Sequence, residues 1–152
     1  MEKDLYFVAV KVFLLDSKES FLITKDRFGE WDIPGGRLRE QDFQVSLESV
    51  LERKIREELG EEVKYRLGKP VVFMRHERDE ILSSGSCEKR RIFAVGYIAQ
   101  YLEGKISLGK NHEKYEWVDV KTFDAKSKFT GGWLEGVREF QASYEKFVRD
   151  YD

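Results

Sequence analysis

The chain has 152 residues, with 27 basic and 29 acidic side chains and a formal net charge of -2. That length suits one domain with a core able to support a fixed pocket, and so even a charge balance excludes a global field that recruits nucleic acid or an anionic membrane. One cysteine, Cys87, excludes an internal disulfide; the start Met1-Glu2-Lys3-Asp4 lacks a signal-peptide pattern and no apolar run approaches bilayer length, so a cytoplasmic protein is expected.

Leu5 to Leu15 is apolar and β-rich apart from Lys11, and Asp16 to Ser20 separates it from a second apolar run, Phe21 to Thr24, which predicts a β-hairpin. Asp26 to Gly36 reads as a functional loop, because Pro34 keeps Ile33 out of helical geometry and Gly35-Gly36 permits backbone that other residues avoid. From about Asp42 the period becomes helical: Phe43, Leu47, Leu51, Ile55 and Leu59 recur every four residues, and Gly60 supplies the stop. This predicts one amphipathic helix of roughly five turns. Val71 to Met74 and Arg91 to Ala99 read as paired strands joined by a long, mobile polar connection. Tyr115 to Val120 reads as a short strand, and Trp133 to Tyr151 as a terminal helix. The result is one mixed α/β domain over residues 1–152.

On the first helix, positions 54, 57 and 58 are neighbours. Glu58 follows Ile55 by three residues, Leu51 by seven and Leu47 by eleven, so it projects along the apolar stripe. A carboxylate aimed at a core needs a partner, and a hard cation such as Mg²⁺, which takes oxygen ligands and keeps waters shared with phosphates, would satisfy it. Mn²⁺ is the alternative ion.

The chain here resembles the Nudix hydrolases, whose box reads Gly-x5-Glu-x7-Arg-Glu-U-x-Glu-Glu-x-Gly-U with U apolar. Gly36, Arg53, Ile55, Glu57, Glu58 and Gly60 match it, and Trp31-Asp32-Ile33-Pro34-Gly35 looks like the family's lead-in. The resemblance implies a Nudix-type α/β/α sandwich with a mixed β-sheet between helices. It also implies cleavage of the diphosphate linkage of a small nucleoside diphosphate derivative, with metal held by Glu57, Glu58 and Gly36.

Three departures qualify it. Gly36 to Gly60 spans 24 positions where the box has 21, which leaves the early glutamate open between Asp42 and Glu40. Glu61 replaces the final apolar residue. Lys54 replaces the glutamate after Arg53, at a position that in the family binds metal or acts as base. Lys54 either pairs with Glu58 and silences the site, or contacts a substrate phosphate as a point charge.

The resemblance places a catalytic acid before the strand at 115–120, where Glu113 is the first candidate for the base and His112 the second. It also puts Arg37, Lys25 and Arg27 against phosphates, with Gly35 and Gly36 shaping the loop. Phe7, Phe73, Tyr97 and Trp133 are candidates to stack a base or to fill the core. The leading expectation is a Mg²⁺-dependent pyrophosphohydrolase, and the alternative a nucleotide-metabolite binding or regulatory module with weakened or lost turnover. Neither membrane nor nucleic acid is expected as a partner, and a homodimer is left open.

Overall fold

The apolar alternation of the first strand decides the layering. In β1 (Phe7–Leu15), Ala9, Phe13 and Leu15 pack into one core cluster and Val10, Val12 and Leu14 into another, so the strand is buried on both faces as a central strand must be. The computed structural model describes residues 1–151, with side chains as far as residue 148; Asp152 of the expected domain lies outside the described residues.

The remaining elements are β2 (Ser20–Asp26), β3 (Trp31–Asp32), β4 (Gly35–Arg37), α1 (Leu47–Leu59), β5 (Lys64–Ile81), β6 (Cys87–Glu103), β7 (His112–Asp119) and α2 (Gly131–Tyr151). The sheet runs β3-β2-β1-β6-β5, with β4 paired to β1 and β7 to β2. β1 and β6 are parallel and the other pairs antiparallel. Helix α1 covers one face through Val50, Leu51, Ile55 and Leu59, and α2 the other through Val137, Phe140 and Tyr144. This is the α/β/α sandwich with a mixed sheet that the sequence predicts. No described helix is long and apolar enough to cross a membrane.

Three expectations change in detail. The hairpin of β1 and β2 is splayed, pairing at Leu15↔Phe21, because β4 takes up the same edge of β1 at Ala9 to Lys11. Val12 donates to the Pro34 carbonyl at 2.9 Å and Leu38 to that of Val8 at 2.8 Å. The expected five-turn helix is shorter. Residues Glu40–Gln44 form a separate 3-10 turn, Val45 is extended, and Ser46 caps α1 by accepting the Ser49 N–H at 3.1 Å. Phe43, expected on the stripe, is 88% exposed. The polar stretch after Met74 continues β5 and β6 rather than forming a loop, closing through a tight turn at residues 82–86 where Gly85 has φ +88°. Its charges pair across the strands, Arg91 with Glu77 at 3.1 Å and Lys89 with Asp79 at 3.4 Å.

Candidate active site

Gly35 reaches the site because nothing larger fits. Its φ is +137°, and a Cβ there would lie 2.0 Å from the Val10 carbonyl oxygen, so β4 lies against β1 with its N–H turned toward α1. That N–H donates to Glu58 Oε2 at 3.0 Å. On the other side of α1's end, the chain returning from β6 hydrogen-bonds the last helical carbonyls. Ser107 donates to Leu59 at 2.9 Å and Gly109 to Glu58 at 3.0 Å, satisfying groups a helix C-terminus leaves open. This carries His112 to Glu58, with Nε2 3.3 Å from Oε1.

Glu58 is thus fixed by a backbone donor and an imidazole, with a side chain 12% exposed. Burial pushes its carboxyl up to about 7, against the pull of the Lys11 ammonium. Burial also lowers the His112 pKa, and His112 Nδ1 has no hydrogen-bond partner among the described residues. Beneath the glycine strand, Lys11 is 4% exposed and holds both oxygens of Asp32 at 2.9 Å.

Of the two candidates for the early acidic position, Asp42 is the one in contact with Arg53. It is buried, takes the Arg53 fork at 2.6 and 3.0 Å, and accepts the Arg39 N–H at 2.7 Å. Those contacts hold its carboxyl well below the usual carboxylate range. Glu40 begins the same 3-10 turn and is exposed. Arg53 also approaches Glu57 at 3.5 Å, and Arg39 approaches it at 3.7 Å.

Lys54 makes no ion pair among the described residues, so the expected alternative of pairing with Glu58 is not realised. Its chain lies along Gly36, where an added Cβ would be 3.2 Å from both Cε and Nζ. A cleft of about 600 Å³ brings together Arg27, Gly35, Lys54, Glu57, Glu58 and His112.

Other predicted residues stand elsewhere. Glu113, the first candidate for the base, points the opposite way from His112 along β7 and pairs with Lys25 at 3.6 Å. Lys25 lines a neighbouring cavity of about 790 Å³ with Trp31 and Trp133. Arg37 is engaged by Glu80 at 2.6 and 3.1 Å. Of the candidate aromatics, Tyr97 is buried in the core while Phe73 is 60% exposed.

Whether a divalent ion suits this donor set can be tested on Glu58 itself. No lysine or arginine comes within ion-pair distance of it among the described residues, so its charge is left for a cation. Glu57 is adjacent, and its two arginine contacts are long and half-exposed, hence weak. No group of three His, Cys, Asp or Glu side chains placed to hold a metal ion is found among the described residues. Two carboxylates nevertheless suit Mg²⁺, which binds through one or two carboxylates plus substrate phosphates and keeps waters. The residues fit one such ion.

Comparison with known proteins bears on the family and the fold. The family model described as NUDIX domain matches residues 5–135. No curated protein matches the sequence. Among solved structures, a MutT protein from Methanosarcina mazei Go1 is 20% identical with a TM-score of 0.66, over 99% of this chain and 98% of that one. An ADP-ribose pyrophosphatase from Streptococcus suis 89-1591 is 11% identical with a TM-score of 0.65, over 92% of each chain. A UDP-X diphosphatase is 13% identical with a TM-score of 0.66, over 97% of this chain and 66% of that one. At these identities the likeness is one of fold.

Proposed function

The chain belongs to the Nudix hydrolase family, and on that premise we propose that it hydrolyses the phosphoric anhydride of a nucleoside diphosphate derivative with Mg²⁺ or Mn²⁺. The substrate is a nucleotide sugar, an ADP-ribose-like compound or a nucleoside triphosphate. The observation that carries this reading is the Gly35 N–H holding Glu58, a nearly buried carboxylate, at the floor of the cleft. Glu57, Glu58 and the carbonyl of Gly36 would hold the cation. Once bound, the ion supplies neutralisation of charge developing on the phosphoryl oxygens. Arg53, tied to Asp42, positions Glu57, and Lys54 and Arg27 face the phosphates. Lys25 and Arg37 join them only by leaving Glu113 and Glu80. For proton removal from water, the geometry favours His112 over Glu113, since His112 lies 3.3 Å from Glu58 in the cleft while Glu113 is engaged by Lys25.

The neighbours described as an ADP-ribose pyrophosphatase and a UDP-X diphosphatase support this substrate class. The reading takes residues 1–152 as one cytoplasmic domain acting on a small molecule, with neither nucleic acid nor membrane as partner; sizing by light scattering decides between monomer and homodimer. Incubation with Mg²⁺ and a panel of ADP-ribose, UDP-sugars and nucleoside triphosphates tests it, and an uncleaved panel counts against it. Lys54 favours one second reading, a nucleotide-binding module without turnover. Tight binding by calorimetry in the absence of cleavage distinguishes that reading.

A further inference from the structure

Cations around the glycine strand fall into two groups. Lys11, Arg53, Arg37 and Lys25 are each bound to a carboxylate, in turn Asp32, Asp42, Glu80 and Glu113. Lys54 is not, although it is partly buried and its ammonium opens into the same cleft as Glu58. Burial and the nearby Arg39 and Arg53 disfavour its charge while Glu57 and Glu58 favour it without forming an ion pair, and an ammonium with no direct carboxylate contact keeps its donors open to an anion arriving from outside. Gly36 preserves the arrangement, because a side chain at that position would meet the Lys54 tail. Arg27 and Lys110 line the same cleft, as does Arg39 beside Glu57, and they share it with the carboxylates of Asp26, Asp32, Glu57 and Glu58, so an anion held there has to engage several cations at once, as a diphosphate can.

We infer that Lys54 is a resident anion-binding group that lets this cleft take up a diphosphate in the absence of any divalent ion. An ammonium is a compact point charge with three donors, which suits a tetrahedral phosphoryl group in more than one orientation. The inference rests on reading the cleft as a phosphate site, but it concerns binding and not cleavage. A protein that binds diphosphate through Lys54 and fails to hydrolyse it would leave the inference standing and remove the proposed turnover.

The test is calorimetric titration of the full chain with inorganic pyrophosphate, and separately with ADP, in excess EDTA. Wild type is expected to bind both, which shows that the diphosphate and not the nucleoside is recognised. Lys54→Gln should weaken binding by about tenfold or more, the scale of one charge-assisted hydrogen bond, and Lys54→Arg should keep most of it. Lys121→Gln, far from the cleft and paired with Glu145, should bind as wild type does. Absence of wild-type binding until Mg²⁺ is added would overturn the inference whether or not the variants fold. Undiminished binding by folded Lys54→Gln would overturn it equally.

Discussion

The backbone N–H of Gly35 meets Glu58 Oε2 at 3.0 Å across 23 residues of chain, joining the strand that follows the proline to the helix that carries the acidic pair. Both partners depend on Gly35 having no side chain. Gly35→Ala would place Cβ against the Val10 carbonyl at a φ of +137°, and should destabilise the fold by about 3 kcal/mol or more. Gly36→Ala meets only the flexible end of Lys54 and should cost little stability while displacing that ammonium. Denaturant melts of both variants check the contrast.

Glu58 predicts a pH dependence of stability in metal-free buffer. Its carboxyl titrates near 7 in the folded chain and near 4.5 when unfolded, so the folded state holds the extra proton between those values. The resulting stabilisation is complete below about 4.5 and lost as pH rises through 7, on the order of 3 kcal/mol in all. Glu58→Gln should lack this loss and melt several degrees above wild type at pH 8 in EDTA. A wild-type stability flat from pH 5 to 8 would contradict the burial argument.

His112 and Glu113 are adjacent in sequence and opposite in direction. The β2–β7 register shifts here, with Lys25 opposite Lys114 and Asp26 opposite His112; at this irregularity His112 faces Glu58 and Glu113 faces Lys25. His112→Gln should lower kcat by about 100-fold or more, the usual scale for losing a general base. Glu113→Gln should change it less than threefold on the same scale. Steady-state rates for the pair decide the assignment, and the reverse ranking would return the role to Glu113.

Asp42 and Arg53 predict acid sensitivity. The folded-state pKa of Asp42 is depressed by the Arg53 fork, so its contribution is present above the unfolded value of about 4 and disappears as pH falls below it. Asp42→Asn should already be destabilised at neutral pH and should lose less on going from pH 5 to pH 3 than wild type does. Thermal melts at those pH values measure it.

The sheet, both helices and the glycine loop were legible because apolar periodicity reports burial directly, and Glu58 was legible because it fell on the apolar stripe. Asp42 was not, since three extra residues hid its register; only its reach to Arg53, set by a 3-10 turn between Arg39 and Ser46, singles it out. Lys11 read as an interruption in an apolar strand, though its partner Asp32 lies in the loop motif itself. The charges of β5 and β6 looked like loop polarity because cross-strand pairing depends on register, which composition does not carry. That His112 rather than Glu113 stands beside Glu58 depends on a register shift in the β2–β7 pairing, which residue type does not carry.

The reaction proposed for this cleft is cleavage of a phosphoric anhydride on the carboxylate anchored by Gly35. Phosphorus NMR of ADP-ribose, a UDP-sugar and a nucleoside triphosphate, each incubated with Mg²⁺ and wild-type protein or Glu58→Gln, tests it most directly. New phosphate resonances are expected from at least one substrate with wild type, and a loss of about 100-fold or more in rate with the variant. Unchanged spectra for wild type, or equal cleavage by Glu58→Gln, would contradict it.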